Sequence, residues 1–281
     1  MWEKRSRRIF IFCSVIASVL ILQMAVYLHH LFWGGTAVHN LFHVCHLAIQ
    51  SIGLAWMDVV LNALLIQTVF LLFWFLGRHL FASAVFSHRL RLYKDKRLSE
   101  ELNRLFAGGR PVFVVIHSPG PIAMSAGIIR RRIVLSTGLL EMLDHDERDT
   151  VIQHELCHHH NRDPLKMFVL GLFAGIMWYL PVLKVGYNQY KVVREVIADK
   201  YAIGKTGATA GLESALLKLL QARAVLTASC SHVSFADNAI NFRIRQLIEP
   251  QAVLPPDIPV FPMILSGQVL AVLCVMFGIV L

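Results

Sequence analysis

Charge is scarce in this chain. Asp, Glu, Lys and Arg make up only 16% of its 281 residues against 56% hydrophobic, and the mean hydropathy is +0.57, which excludes an ordinary soluble domain of this length. Cysteine is sparse too. Of Cys13, Cys45, Cys157, Cys230 and Cys274, only Cys45 falls in an expected external loop, so no disulfide framework is suggested and the middle of the chain belongs in a reducing compartment. Internal repeats and low-complexity tracts are absent.

Another absence is positional. No Lys or Arg lies between Arg8 and Arg78, and none follows Arg245. Long apolar runs fill these gaps at Ile9–Phe32, Val59–Leu76 and Phe261–Leu281. At about 1.5 Å per residue the first is long enough to cross a hydrocarbon layer of roughly 30 Å. It is too long for a signal-peptide core and lacks a convincing small-x-small cleavage site, so it is expected to be an anchor. Lys4, Arg5, Arg7 and Arg8 precede it, and Arg78, Arg89, Arg91, Lys94, Lys96 and Arg97 follow the second run. Cations beside a span stay cytoplasmic, so both flanks are expected there and the C-terminus outside. The formal charge of +9 thus reads as topology in a bilayer, with no direct nucleic-acid partner.

The expected fold class is α+β, a multi-span α-helical membrane protein with a cytoplasmic domain. Residues 1–82 hold two spans and a short external loop. Residues 83–260 form the domain, with a membrane-dipping hairpin at about 165–185, and 261–281 form the last span. Within the domain, Ser99–Ala107 reads as a helix closed by Gly108-Gly109, and Pro111–Ile116 and Arg132–Ser136 read as strands. Ile122–Ile129 reads as a further strand bent at Gly127. Asp144 and Glu147 have capping-box spacing for a helix reaching about Asn161 and stopped by Pro164. Tyr190–Ile203, Leu212–Leu226 and Asn238–Ile248 read as later helices.

The helix opened by Asp144 carries HELCHHH, residues 154–160. At about 100° per residue His154 and His158 share a face with Glu155 at its border, while Cys157, His159 and His160 point elsewhere. That is the H-E-x-x-H arrangement, in which two imidazoles one turn apart hold Zn²⁺ and the glutamate activates water. Cys157 is expected to be a packing residue, and His159 and His160 to be solvated cations at the helix C-terminus. A third ligand is needed. Glu195 and Asp199 lie one turn apart in REVIADKYAI, with small Ala198 beside them. Glu195 would complete a His₂Glu site, and Asp199 could hydrogen-bond the outer nitrogen of a zinc-binding histidine. An ordinary surface E-x-x-x-D face is the alternative.

Ser118-Pro119, Gly127, RRIVLSTGLL, HELCHHHNRDP, MWYLP, REVIAD and FRIRQL follow one another in this chain. In that order they resemble the catalytic core of the BlaR/MecR-type membrane zinc metallopeptidases, the family of β-lactam-sensing antirepressors. The resemblance covers roughly Pro111–Leu247 and the layout of spans. It implies a zincin-like (gluzincin) endopeptidase domain facing the cytosol, one Zn²⁺ per chain, ligands His154, His158 and Glu195, and Glu155 as base. The family's receptors carry an external sensor domain after the last span, whereas this chain stops at Leu281, so antibiotic sensing by it is not expected.

Geometry adds a constraint. A straight crossing by Leu165–Val185 would carry Glu195 about 30 Å from the zinc helix, so the segment is expected to turn back near Trp178–Pro181. Oxyanion candidates are His232, Tyr187, Tyr190, Tyr201, Arg243 and Arg245, and RIVLS is the expected free sheet edge for an extended substrate. Outside, His39, His43 and His46 share a helical face, read as the polar stripe of an interfacial helix, with a metal or pH sensor as the alternative. The partner is a protein substrate, a transcriptional repressor among the candidates, and homo-oligomers are compatible with the chain. Rival readings are a housekeeping protease resembling HtpX or CAAX-processing enzymes, and a non-catalytic zinc-binding signalling protein.

Overall fold

Unbroken apolar character builds the centre of a small sheet. The computed structural model describes residues 2–33, 47, 51, 55–207, 209–227, 243 and 261–269. In it β2 (Phe113–Ile116) and β4 (Arg132–Ser136) are parallel neighbours, with Phe113 opposite Ile133 and Ile116 opposite Ser136. β1 (Lys94–Asp95) and β3 (Ala123–Ala126) flank them antiparallel, in the order β1-β2-β4-β3. RIVLS was expected at the free edge, and this is corrected: it is β4, hydrogen-bonded on both sides, and the edge is β3. Ile133, Val134 and Leu135 are all fully buried, as a strand covered on both faces requires, whereas the half-buried Ala-Met-Ser-Ala of β3 suits an edge.

Helices cover the sheet. α1 (Trp2–Trp33) and α2 (Ala55–Leu92) are long and apolar, and their stretches Trp2–His29 and Asn62–Leu92 have the length and composition of membrane spans. The end of α2 lays Leu90 and Phe86 against Val114 and Val134. α3 (Lys96–Ala107) starts earlier than expected because Asp95 is its cap, accepting from Leu98 N at 3.0 Å. Gly108 ends it in the left-handed region at φ 57°. Buried Asn103 on α3 accepts from Val112 N and Phe113 N, both at 2.8 Å, tying the helix to the start of β2. Leu102, Phe113, Val115, Ile133 and Leu135 share one core with Leu139 of α4 (Thr137–Met142) and Val151, Ile152 and Leu156 of α5 (His145–His160).

α6 (Asp163–Ile176) and α7 (Pro181–Thr206) are joined by a turn at residues 177–180. α7 begins nine residues before the expected Tyr190, because a proline suits the first turn of a helix, where no N–H partner is needed. α8 (Thr209–Thr227) follows a break at Gly207, φ 70°. Residues 261–269 are helical. His39, His43, His46, His232, Arg245, most of Asn238–Ile248 and the rest of Phe261–Leu281 lie outside the described residues.

The chain falls into two compact units. One comprises Met1–Ser6, Leu80–Phe168 and Tyr190–Leu254 and holds the sheet, α3 to α5 and α8. The other comprises Arg7–His79, Val169–Gln189 and Pro255–Leu281. The chain thus leaves the first unit within α6 and re-enters it within α7.

Candidate metal centre

The phase of α5 is set at its first turn. Asp144 accepts from Glu147 N and Glu147 accepts from Asp144 N, both at 2.9 Å, a reciprocal capping box. From that start the periodicity brings His154 and His158 onto one buried face, with buried Glu155 beside them. α7 brings Glu195 to the same point. His154 Nε2 and His158 Nε2 are 3.1 Å apart, and Glu195 places Oε2 3.5 Å from the first and Oε1 3.6 Å from the second. A tetrahedral ion with bonds of about 2.0–2.1 Å separates its ligand atoms by roughly 3.3–3.4 Å, so this triangle has the dimensions of one face of such a site.

The outer nitrogens explain why both Nε2 atoms point inward. His158 Nδ1 donates to Asp163 Oδ2 at 2.8 Å. His154 Nδ1 lies 2.9 Å from Asp199 Oδ1, an ionic contact poorly aligned as a hydrogen bond. With each Nδ1 turned towards a carboxylate, the two Nε2 atoms face each other at 3.1 Å beside an anionic glutamate. A positive charge belongs at that point, a proton on His154 in the metal-free chain or an ion in its place, so the donor set fits a divalent ion.

The electrostatics point the same way. Burial alone would lower the His154 pKa, but Asp199 and Glu195 outweigh it and push it up to about 10. Burial raises Glu195, yet His154 and Arg243 hold it well below the usual carboxylate range. Asp199 is likewise depressed, burial being overcome by His154 and Arg243. Glu155 is different. Desolvation raises it, and the attraction of His154, His158 and Arg243 does not cancel that rise, leaving a carboxyl suited to taking and returning protons.

Of the other expected site residues, Arg243 is at the centre. It grips Asp199 with two hydrogen bonds of 2.8 and 2.7 Å and stands 3.1 Å from Glu195 Oε2. Tyr201 is a correction: Lys205 Nζ lies 5.8 Å from its ring centroid, and among the described residues it does not border the site cavity. It lies six residues beyond Glu195, which puts it on another face of α7. His159 also differs from expectation. Burial, with Arg131 and His160, lowers its pKa, and it is Arg131 that reaches the helix end, donating to His159 O at 2.8 Å. Cys157 is buried packing, as its position in the helix implied.

Asp163 was missed. Its place in the sequence marks only the helix stop at Pro164, but Asp163 is fully buried, orients His158 and also accepts from Arg194 Nε at 2.8 Å. Arg162, at φ 55°, makes the turn that brings it back. A carboxylate five residues past the second histidine and just before a proline was the available signal.

A cavity of about 470 Å³ opens on the cluster, with His154, Glu155, His158, Glu195 and Arg243 on one wall. Ile122–Ser125, leading into and along β3, form another, and Leu212, Leu216, Leu219 and Leu220 of α8 a third. A family model described as BlaR1 peptidase M56 matches residues 36–247. The chain belongs to this family. Within this peptidase family member a shorter stretch resembles proteins named protease HtpX homolog. It is 33% identical to the one from Caldanaerobacter subterraneus subsp. tengcongensis over 89 residues, 31% of this chain and 30% of that one. It is 34% identical to the one from Archaeoglobus fulgidus over 92 residues, 31% and 27% of the two chains. It is 38% identical to the one from Neisseria meningitidis over 69 residues, 24% of each. The matched stretch spans less than a third of these relatives.

Proposed function

We propose that this chain is a membrane-embedded, zinc-dependent endopeptidase that cleaves a cytoplasmic or membrane-proximal protein in regulatory signalling. The observation that carries this reading is the pair of imidazole Nε2 atoms facing each other and Glu195, each ring turned by its own carboxylate, with Glu155 buried beside them. His154, His158 and Glu195 would hold the ion, and Asp163 and Asp199 keep the rings aimed. A zinc ion so bound supplies Lewis acidity to the scissile carbonyl and lowers the pKa of water. Glu155 takes the proton from the attacking water and returns it to the leaving amine. Arg243, anchored on Asp199, is the donor best placed to face a developing oxyanion. The substrate lies extended along β3, whose outer side has no partner strand among the described residues and whose residues line the cavity.

The proposed topology is multi-pass, with the N-terminus and the catalytic domain cytoplasmic. The turn between α6 and α7 at residues 177–180, and the grouping of Val169–Gln189 with the apolar helices in one unit, support a hairpin that dips into the bilayer and returns Glu195. Labelling of cysteines placed at Gly186–Tyr190 from outside the cell would overturn it. The likeness to HtpX homologues supports a second reading, a housekeeping protease of broad range. The Glu155→Gln variant tests both. It should keep stoichiometric zinc while turnover falls by about 10²–10⁴, and proteins trapped by it separate one regulator from many clients. Undiminished cleavage would leave neither reading standing.

A further inference from the structure

A second, smaller cavity lies where the last turns of α2 meet the turn between β3 and β4. It holds about 80 Å³, the room of two or three waters and the scale of a phosphoryl group. Arg91, Arg130 and Arg132 line it together with Ser83 and Ser87, and among the described residues no Asp or Glu does. Among the described residues none of these arginines has an ion-pair partner. Three cations around one concavity repel each other until an anion enters, and guanidinium groups match phosphate oxygens in both shape and charge.

The neighbouring surface is apolar in an unusual way. Ile129, in the turn that supplies Arg130, is 90% exposed. α2 carries the candidate span that starts at Asn62. An exposed apolar tip beside arginines suits the boundary between headgroups and acyl chains, and water alone does not account for it.

We propose that this cavity binds the phosphate of an anionic phospholipid, with Ile129 seated at the headgroup boundary. Ala126, the last residue of β3, borders this cavity, while Ala123, Met124 and Ser125 border the metal cavity. A bound headgroup therefore steadies the strand along which the substrate is proposed to lie. The lipid site itself is independent of the metal, so its test reads lipid and not cleavage.

The full chain in neutral detergent is titrated with dioleoyl phosphatidylglycerol and followed by native mass spectrometry, with dioleoyl phosphatidylcholine and inorganic phosphate in parallel. One phosphatidylglycerol per chain should be retained, with phosphatidylcholine at least about tenfold weaker. At about fivefold per arginine, the combined Arg91→Gln, Arg130→Gln and Arg132→Gln variant should weaken retention on the order of a hundredfold, and Ile129→Ser several-fold. Equal retention of the two lipids, or an unaltered affinity in the triple variant, overturns the proposal. Inorganic phosphate binding as tightly as the lipid makes this a soluble-anion site and also overturns it. If the triple variant loses its circular dichroism spectrum, Arg130→Gln alone, in the exposed turn, decides: unchanged retention there is refutation.

Discussion

Replacing Asp163 by asparagine separates shape from charge at the one carboxylate that touches both a metal-site histidine and the buried core. Asp163 and Arg194 are each 1% exposed and meet at 2.8 Å, so solvent and salt do little to screen them. Breaking a buried pair by neutralising one partner costs about 3–5 kcal/mol. Arg194 keeps a contact with Glu3 at 3.3 Å, which puts the expected loss at the low end. About 3 kcal/mol corresponds to a fall in melting temperature of about 6–12 °C. Both donors, His158 Nδ1 and Arg194 Nε, reach the same oxygen, Oδ2. An amide oxygen there can still accept from both but carries no charge, and its NH₂ takes the buried place of Oδ1, which has no hydrogen-bond partner among the described residues. His158 keeps an acceptor but loses the anion that raises its basicity, and zinc affinity should drop about 10–100-fold. Competition with a chelator measures the affinity, and thermal melting of the metal-free chain measures the stability. A variant that matches the parent in both would show that Asp163 neither orients His158 nor compensates Arg194.

Three further outcomes are expected. With His154 pushed up to about 10 by Asp199 and Glu195 against the effect of burial, the metal-free ring carries a proton near neutrality. Zinc uptake should therefore release about one proton, and apparent affinity should climb about tenfold per pH unit below that value; calorimetry in buffers of different ionisation heat that finds no release counts against the geometry. Burial pushes Glu147 up, but Lys218, Ser214 and the Asp144 N–H hold it below its ordinary 4.5. Its folded pKa being the lower one, its stabilisation is complete above 4.5 and drains away as pH falls through the folded value. Glu147→Gln should melt lower at neutrality and lose part of the acid dependence below pH 4.5, as thermal melts on the acid side of that value will read. Gly138→Ala should destabilise, because a Cβ there would overlap the Pro119 carbonyl oxygen, and a melting temperature equal to the parent's would refute the tight Pro119–Gly138 approach.

Much of the site was legible because it is local. The i, i+4 spacing of His154 and His158, and of Glu195 and Asp199, needs only helix geometry. The Asp144–Glu147 box marks where one of those helices starts. Strand β4 was legible as a strand but not as an interior one, since apolar character on both faces does not say which neighbours pair with it. Asp163 escaped because its proximity to Pro164 offered a sufficient local explanation, and nothing in the linear chain reveals its contact with Arg194, 31 residues away.

By itself, then, the order of residues determined the membrane character, the helix faces and which side chains can ligate a metal, because each depends on hydrophobicity or on a repeat of a few residues. Only the tertiary structure decided that Arg243 closes on Asp199 from 44 positions away, that Asp163 supports His158, and that β3 is the open edge above the ligands. Those outcomes depend on how helices and strands pack, where burial, and not spacing, selects the partner.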